Sequence, residues 1–432
     1  MRVAIIGAGA GGLSAAYDLA RAGHAVTVFE LDATPGGLGG GIREPEWEWS
    51  VEKYYRHWFT SDRDVLGLIR ELGWQKNIVV RRPVTAIFHS EKFYPYDSIL
   101  SWLKFPGLPF PYRVWNLLIA GSFLKVNPFW KPLEEIAADD WMRRWFGSRI
   151  YDEVWKPMLI GKFGEENYRL INMAWFWARM HSRTPNLVTY RGGMQAFFDQ
   201  FGARLGELGA RLRYNARVDG VAASPDGGVE LRLPSGTERF DAVLATLSPH
   251  QLAAVAPTLP ADYLTQLRSL RHMGAVVMVF ELSRQLSTQG VYWHNLPKEA
   301  GFPFLGLVEH TNFLAPEYFG GNHIVYCGDY LPLGHEYFSL SQEALQKRFL
   351  PALQRINPEF TPSWVKKSWM FKTEYAQPIP LIHHSRNIPS VRTPLPGLYF
   401  ASMSQVYPWD RGTNYAVRQG REAAAMILRD QK

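Results

Sequence analysis

The chain has 432 residues, 47% hydrophobic and 20% charged, which is enough to bury two cores and excludes a disordered or low-complexity protein. Its formal net charge of +7 favours acidic ligands or anionic membrane surfaces, but no basic run or recognition motif accompanies it, so we expect no nucleic-acid partner. Cys327 is the single cysteine, which excludes an internal disulfide framework and a cysteine-rich metal site and favours a reducing, cytoplasmic compartment.

The first thirty residues have the pattern of a βαβ unit. Residues 3–6 are β-branched and apolar, as in a buried strand, and residues 13–22 predict a helix that ends at Gly23. Residues 25–29 predict a second buried strand, which closes on Glu30. Because glycines interrupt the apolar start so early, it is better interpreted as a strand than as a signal peptide.

A glycine-rich turn joins the first predicted strand to the helix. Gly7, Gly9 and Gly12 form G-x-G-x-x-G, which permits a tight turn, close approach of a pyrophosphate and close packing of helix on strand. Glu30 lies eighteen positions after Gly12, near the spacing at which a carboxylate meets a ribose hydroxyl. Strand, glycines, helix, strand and acid in this order predict dinucleotide binding.

A second pair of glycines selects between dinucleotides. Pro35-Gly36-Gly37 follows the acidic strand end almost at once. This arrangement resembles the FAD-binding superfamily of amine oxidases, protoporphyrinogen oxidases, phytoene desaturases and UDP-galactopyranose mutases. Members often carry an arginine shortly after the pair, where this chain has Leu38 and Gly39. The resemblance implies one FAD and no bound nicotinamide.

Three later segments resemble the same superfamily. Residues 190–194 and the helix after them are similar to its G-G-M segment, and residues 240–246 are similar to its D-x-V-x-x-A-T strand. Near the C-terminus, residues 397–402 predict a strand, and Asp410-Arg411-Gly412-Thr413-Asn414 leads into a helix over residues 415–428. In the superfamily that helix points its N-terminus at the flavin, where its dipole stabilises negative charge on the ring.

The resemblance assigns FAD contacts to both ends of the chain and to the return segment. The Val218 backbone is expected at the adenine end, Ser402 and Met403 along the ribityl and phosphate side, and Thr413 and Asn414 near the ring. The full predicted set is Gly7, Gly9, Ala10, Gly11, Gly12, Glu30, Leu31, Gly36, Gly37, Val218, Ser402, Met403, Thr413 and Asn414.

The expected fold class is α/β, with a Rossmann-like FAD-binding domain interrupted twice by an α+β substrate-binding domain. We assign residues 1–78, 186–268 and 387–432 to the first domain. Residues 79–185 and 269–386 belong to the second.

Catalytic side chains are only candidates at this stage. Arg56 and His57 lie where the superfamily passes along the flavin, although a surface loop with one satisfied histidine is also open. Lys162 follows an apolar run that resembles bacterial protoporphyrinogen-oxidase-like flavoproteins; it either meets an acidic substrate group or the flavin, or extends its head to solvent. Polar residues at 309–312 and 373–378 are further candidates to face the flavin. No histidine–carboxylate spacing indicates a metal site.

Residues 101–130 are rich in aromatic side chains. Their centre, residues 114–124, is apolar but too short to span a bilayer, and Arg113 and Lys125 flank it. The segment is either an interfacial helix that makes a peripheral membrane contact or a buried helix that roofs the active site. We favour the buried helix.

The resemblance implies an FAD-dependent oxidoreductase that removes a hydride from a C–H or C–N bond, with the flavin N5 as acceptor. Aromatic residues between Phe93 and Trp177 favour an apolar or aromatic small-molecule substrate such as a polyene, a porphyrinogen or a lipid-like amine. Two alternatives remain open. One is a redox-neutral isomerase like the sugar mutases, and the other is a non-catalytic binding protein like the prenyl-protein escort proteins.

Overall fold

The computed structural model describes residues 1–287 and 289–430. Its strands are β1 (Arg2–Ile6), β2 (Ala25–Phe29), β3 (Gly41–Ile42), β4 (Val51–Glu52), β5 (Trp58–Phe59), β6 (Ile78–Arg81), β7 (Val84–His89), β8 (Lys92–Pro95), β9 (Leu187–Tyr190), β10 (Arg211–Arg213), β11 (Gly220–Ala223), β12 (Val229–Leu233), β13 (Gly236–Phe240), β14 (Ala242–Ala245), β15 (His272–Leu282), β16 (Val291–Asn295), β17 (Gly306–Glu309), β18 (His323–Leu331), β19 (Val365–Pro378) and β20 (Leu398–Phe400).

The α-helices of the same residues are α1 (Ala10–Arg21), α2 (Arg63–Glu71), α3 (Ile99–Leu103), α4 (Phe110–Leu118), α5 (Ala138–Phe146), α6 (Ser148–Ile150), α7 (Lys156–Phe163), α8 (Met173–Ser182), α9 (Met194–Glu207), α10 (Pro249–Val255), α11 (Ala261–Ser269), α12 (Gln342–Ile356) and α13 (Thr413–Asp430). Short π-helical turns extend α4 over Ile119–Lys125 and precede α7 over Tyr151–Trp155.

A five-stranded parallel sheet forms the nucleotide-binding half, in the order β10-β2-β1-β14-β20. Its central strands are continuous apolar runs because helices or a second sheet cover both faces. On one face α1, α9 and α13 supply the covering side chains, and on the other the hairpin strands β11–β13 with α10 and α11 do so. The sheet unites three stretches of the chain that are far apart in sequence.

A seven-stranded sheet forms the second half, in the order β19-β15-β18-β17-β16-β7-β8. All of its pairs are antiparallel except β16 with β7. Helix α12 packs into one core on this sheet, and the residues from α3 to α8 build a separate aromatic core beside it. The expected fold class, a Rossmann-like α/β domain interrupted by an α+β domain, is therefore confirmed.

The two large sheets divide the chain much as the expected domains do. Every strand of the parallel sheet lies within residues 1–78, 186–268 and 387–432, and every strand of the seven-stranded sheet lies outside them. A small third sheet, β5-β9-β6, joins residues on both sides of those boundaries. The domain boundaries themselves stay a prediction.

Residues 101–130 form α3, α4 and the π-helical turn, with one buried side and one exposed side. Trp102, Phe105 and Leu124 are buried in the aromatic core, as expected for a roof. The expectation of a buried helix is nevertheless wrong for the other side. We call that side the exposed apolar face, and its large side chains are Ile99, Leu100, Phe110, Tyr112, Val114, Trp115, Leu118, Phe123, Val126 and Phe129. Within residues 1–287 and 289–430, no helix combines the length and apolar character that crossing a bilayer requires.

Candidate functional site

The glycines of the first turn serve different packing needs. Gly7 has φ +105°, and a Cβ there would lie 2.5 Å from Thr246 Oγ1. A Cβ on Gly12 would lie 2.0 Å from the Gly7 carbonyl oxygen, so α1 can approach the turn only with glycine at this position. A Cβ on Gly9 would meet nothing within 4 Å. The turn is thus packed tightly below and open above Gly9, as a pyrophosphate cradle requires.

The second glycine pair is fastened to the first. The Gly36 amide donates to the Ala8 carbonyl over 2.9 Å, and Gly36 and Gly37 both have positive φ. A Cβ on Gly37 would lie 3.5 Å from the Gly9 Cα, so the two loops border the same open space. Ala10 begins α1 and is buried, and Gly11 faces α13 with a Cβ position 3.2 Å from the Ala416 carbonyl.

Glu30 is tied to the glycine turn by its carboxylate. Its Oε2 accepts from the Ala8 amide at 2.7 Å, and its Oε1 accepts from the Asp32 amide at 2.9 Å. The Glu30 carbonyl accepts from the Ala216 amide at 2.8 Å, which brings the segment containing Val218 to the same end of the sheet. Leu31 is 65% exposed. The residues expected near the ribose and adenine therefore meet at one place.

The C-terminal residues form the other wall. Ser402 follows β20, and its Oγ accepts from the Ser404 amide at 3.2 Å; Met403 starts a short 3-10 turn. Thr413 is the first residue of α13. The Asn414 side chain turns away to cap α2, with Oδ1 accepting from the amides of residues 64 and 65 at 2.8 and 3.1 Å.

The residues present fit FAD. The open space above Gly9, the carboxylate of Glu30 and the first turn of α13 supply a pyrophosphate cradle, a ribose partner and a helix dipole. The structure thus brings the predicted segments together, while the individual contacts with FAD stay a prediction.

Lys162 lies inside a charged group that sequence reasoning did not assemble. Its Nζ donates to Asp410 at 2.7 Å, and Arg179 and the Trp175 indole reach the same carboxylate at 3.4 and 3.2 Å. With only 9% of its side chain exposed, Lys162 does not extend to solvent, so that alternative is wrong. We call the group the interior cluster, and its members are Lys162, Trp175, Arg179, Tyr330, Gln377, Asp410 and Arg411.

Asp410 is the anionic centre of the interior cluster. Burial raises the pKa of this carboxyl, but the charges of Lys162, Arg179 and Arg411 outweigh that effect and hold the pKa well below its usual range. Burial lowers the pKa of Lys162 while Asp410 opposes that change, and the short contact makes the pair an ion pair. The one signal in the sequence was Asp410-Arg411 immediately before the last helix.

Arg56 and His57 lie beside the interior cluster. Arg56 interacts electrostatically with Arg411 and Tyr330, and its buried Nε has no hydrogen-bond partner among the described residues. Burial, with the charge of Arg183 second, lowers the pKa of His57 to about 3. His57 Nδ1 lies 3.4 Å from the Tyr292 hydroxyl. Both are therefore partly buried and packed against other elements, contrary to the surface-loop alternative.

Of the polar segments 309–312 and 373–378, one holds a loop and the other reaches the interior cluster. Glu309 is buried and accepts from the amides of Leu286 and Ser287 at 2.8 and 2.7 Å, so it holds a loop. Gln377 joins the interior cluster by accepting from Arg411 Nε at 2.9 Å. In residues 1–287 and 289–430, no three His, Cys, Asp or Glu side chains are grouped as metal ligands would be.

Comparison with known sequences agrees with this architecture. A profile of the family described as flavin containing amine oxidoreductase matches residues 10–428. A probable zeta-carotene desaturase of Synechococcus elongatus is 26% identical over 187 residues, which are 37% of this chain and 37% of that protein. An L-amino-acid oxidase of Bothrops jararacussu is 42% identical over 76 residues, 18% of this chain and 15% of the other. The chain thus matches well under half the length of these curated relatives.

Comparison with solved structures extends over nearly the whole chain. A protein of Exiguobacterium sp. assigned as a protoporphyrinogen oxidase has a TM-score of 0.78 at 17% identity, covering 99% of both chains. Reduced UDP-galactopyranose mutase has a TM-score of 0.75 at 15% identity, covering 99% of this chain and 95% of the other. Cyclohexylamine oxidase of Brevibacterium oxydans has a TM-score of 0.70 at 15% identity, covering 100% and 99%. At such identities the likeness shows the fold.

The family profile begins at Ala10 inside the glycine turn and covers the interior cluster and nearly all of the terminal helix, and the cofactor of the family is FAD. This chain belongs to the flavin containing amine oxidoreductase family.

Proposed function

We propose that the protein is an FAD-dependent oxidoreductase that removes a hydride from an apolar or aromatic substrate. The observation that carries this proposal is the position of Asp410 and Arg411. They precede α13, whose first turn borders the glycine turn, and their side chains hold the interior cluster of the other half. One short loop therefore joins the cofactor cradle to the place where a substrate would lie.

Bound FAD supplies a flavin ring that accepts a hydride from the substrate. The chain supplies aromatic side chains around the interior cluster: the Tyr55 ring lies 4.9 Å from Trp293, and the Lys162 ammonium lies 5.0 Å from the centre of Trp175. Such side chains exclude water and fix the orientation of an apolar substrate. His57 is uncharged at neutral pH and offers a neutral ring to the same space.

The ion pair of Lys162 and Asp410 fixes the position of α7 relative to the loop before α13. Lys162 is on α7 and Asp410 is three residues before α13, so the contact ties the aromatic helices to the cofactor side. Removing one partner of a buried pair leaves an uncompensated charge, which costs about 3 to 5 kcal/mol. We therefore assign the pair a positioning role.

The test is anaerobic reduction of the bound flavin. Amines, polyenes and porphyrinogens are added to the oxygen-free holoenzyme, and at least one class is expected to bleach the flavin absorbance. The rate of reoxidation by oxygen then separates an oxidase, which reoxidises fast and releases peroxide, from a desaturase with another acceptor. Failure of every class to bleach the flavin would contradict the proposal.

Two further outcomes would replace the proposal. Binding of UDP-galactose only after flavin reduction would indicate a redox-neutral isomerase. Purification of folded protein that takes up no FAD would indicate a binding protein.

A further inference from the structure

The interior cluster and its neighbours carry more positive charge than their acids balance. Asp410 already accepts from Lys162 and Arg179, and Arg411 is engaged with Gln377 and the Tyr330 hydroxyl. Two more guanidinium groups stand next to this set. They belong to Arg56, which interacts with Arg411, and to Arg183, which interacts with Arg179.

Neither Arg56 nor Arg183 has a carboxylate to itself: Asp410 interacts with Arg183 but is already paired with Lys162 and Arg179. Among the described residues, neither forms an ion pair with a carboxylate, and Arg56 Nε is buried without any hydrogen bond. Glu52 interacts electrostatically with Arg56 without forming an ion pair, and burial raises the pKa of Glu52 to about 7. Burial also lowers the pKa of Arg56 to about 10, whereas Arg183 is exposed at the end of α8.

The two arginines flank one aromatic wall. The Arg183 guanidinium lies 5.7 Å from the centre of the Phe59 ring, and that ring lies 5.3 Å from His57, which senses the charges of both arginines. Planar guanidinium groups bind carboxylate and phosphate oxygens in paired hydrogen bonds, and the bonds strengthen where water is excluded. A partly buried Arg56 and an exposed Arg183 beside an apolar wall suit a molecule whose anionic group lies near the surface and whose apolar body extends inward.

We propose that Arg56 and Arg183 bind a carboxylate or phosphate group of the substrate while the aromatic wall holds its apolar part. This inference rests on the proposed function, because it assigns the polar end of the molecule that the flavin oxidises. It also makes a specific demand on the substrate: an anionic apolar molecule binds better than a cationic one of the same length.

The experiment titrates the flavin absorbance of the oxidised holoenzyme with octanoate, octyl phosphate, octanol and octylamine. Octanoate or octyl phosphate is expected to bind at least about tenfold more tightly than octanol, because a charge-assisted hydrogen bond adds over one tenfold step in affinity. Octylamine is expected to bind worst. Arg56→Gln and Arg183→Gln are each expected to remove the preference for the anion and leave octanol binding unchanged.

Arg284→Gln is the matched control, because Arg284 is also exposed and stacks on an aromatic ring, at 5.4 Å from Trp364, but lies away from the interior cluster. Flavin content and melting temperature verify that each variant folds. Equal binding of octanoate and octylamine, or unchanged anion binding in both arginine variants, would overturn the proposal. Failure of the proposed function looks different: anions bind as expected while no substrate class bleaches the flavin.

The exposed apolar face carries a second, independent inference. Phe110, Leu118 and Phe129 are 60%, 53% and 76% exposed, and seven more large apolar side chains accompany them within 31 residues. Elsewhere such side chains are scattered singly. An exposed apolar concentration of this kind marks an interaction surface.

The charged residues of the same segment are all basic. Residues 99–133 contain Lys104, Arg113, Lys125 and Lys131 and no aspartate or glutamate. Lys104 and Lys131 are exposed. Basic residues beside an apolar helix face attract the anionic headgroups of a bilayer while aromatic and leucine side chains enter its interface.

Hydrogen bonds hold the exposed apolar face to the helices beneath it. The Trp102 indole donates to the Arg113 carbonyl at 3.0 Å, and the Trp115 indole donates to the Trp145 carbonyl at 2.8 Å. Lys125 Nζ donates to the carbonyls of His181 and Arg183 at 2.9 and 2.6 Å, which joins the face to the end of α8. The apolar side chains are therefore presented outward by an ordered layer.

We infer that the exposed apolar face docks on the surface of an anionic bilayer. Holoenzyme is sedimented with vesicles of two parts phosphatidylcholine to one part phosphatidylserine, and with vesicles of phosphatidylcholine alone. Binding to the mixed vesicles is expected, and molar salt is expected to weaken it. Lys104→Gln and Lys131→Gln are each expected to weaken binding about fivefold, the loss of one surface cation.

The double variant Phe110→Ser with Leu118→Ser is expected to abolish sedimentation. Leu333→Ser is the control, because Leu333 is 50% exposed in the loop after β18, outside the exposed apolar face, and the substitution is expected to have no effect. Absence of the wild-type protein from both vesicle pellets would overturn the inference. So would a dimer in solution that the double variant dissociates, since a second copy would then cover the face.

Discussion

Gly9 and Gly12 are three positions apart in one turn, yet an added methyl group would meet opposite surroundings at the two. At Gly12 it would collide with the Gly7 carbonyl, and at Gly9 it would project into open space. Gly9 also has φ −72°, which alanine adopts without strain. The fold therefore requires glycine at position 12, whereas glycine at position 9 is required only if a cofactor occupies the open space.

Gly9→Ala is expected to leave the apoprotein as stable as the wild type, or up to about 1 kcal/mol more stable, because the unfolded chain loses freedom. The same variant is expected to bind FAD at least about tenfold more weakly, since the methyl group occupies the pyrophosphate space. Chemical unfolding of the apoprotein and FAD titration measure the two quantities.

Gly12→Ala is the matched comparison. It is expected to lose about 2 kcal/mol or more of unfolding free energy even without FAD, because the helix is forced from the turn. Equal FAD affinity of Gly9→Ala and wild type would contradict the assignment of the open space to the cofactor.

Glu52 predicts a pH dependence of stability. It is 1% exposed, and its pKa is raised from 4.5 to about 7 by burial. The folded protein therefore holds a proton that the unfolded chain has released, so stability falls as pH rises from about 4.5 to 7 and then levels off. The contribution of this residue is up to about 3 kcal/mol.

Glu52→Gln is expected to flatten the part of the stability curve between pH 5 and 7, because the amide cannot ionise and its oxygen still accepts from the Met194 amide, which is 3.1 Å from the carboxylate. Glu343→Gln is the control, since that carboxyl is at the surface. Melting temperatures across the pH range measure the effect, and parallel curves for wild type and Glu52→Gln would contradict it.

At the scale of elements, Asn414 links two helices of different origin. It stands in the first turn of α13, and its side-chain oxygen caps the first turn of α2. Sequence reasoning expected it near the flavin ring. The cap explains why the Asn414 side chain is buried, and its contact with FAD stays a prediction.

Asn414→Ala is expected to lower the unfolding free energy by about 1 to 2 kcal/mol through loss of the cap. Ser341→Ala, which removes the comparable cap of α12, is expected to cost a similar amount. Only Asn414→Ala is expected to lower FAD affinity as well, because it loosens the start of α13. Identical FAD affinity of the two variants would place α13 outside the cofactor site.

Helices and strands whose apolar residues follow one clear period could be predicted from the sequence. Elements whose environment is set by residues far away in the chain could not. β2 was predicted at its observed bounds, and α13 within two residues of them, since buried strands and a glycine-led helix carry their own signals. Between residues 131 and 150 the chain forms a 3-10 turn, α5 and α6, and Gly147, with φ +84°, separates the two helices. Residues 79–88 supply strands to two different sheets.

The candidate site divides in the same way. The glycine turn was predictable because its chemistry needs glycines at fixed spacing within one stretch. The interior cluster was not, because Lys162, Arg179, Tyr330 and Asp410 come from four distant stretches and no local spacing relates them. For the exposed apolar face, periodicity identifies an apolar stripe but does not tell whether another element covers it.

At the scale of the whole molecule, the cofactor is expected to stabilise the fold as one unit. Its predicted contacts come from both ends of the chain and from the middle, so its loss affects every layer of the parallel sheet. At a free FAD concentration a hundred times Kd, the holoenzyme is expected to gain about 2.7 kcal/mol over the apoprotein in one transition. Calorimetry of both forms measures this, and two transitions of which FAD moves only one would show that the halves unfold separately.

The place of β20 in the parallel sheet governs when a chain on the ribosome can complete it. β1, β2, β10 and β14 are all made within the first 245 residues, but β20, the neighbour of β14, is residues 398–400. At ordinary translation speeds β14 therefore waits on the order of ten seconds with one edge unpaired. During that time it is a template for wrong pairing, which a chaperone would have to shield. Because the predicted FAD contacts include Ser402 to Asn414, we expect FAD to load only onto nearly finished chains.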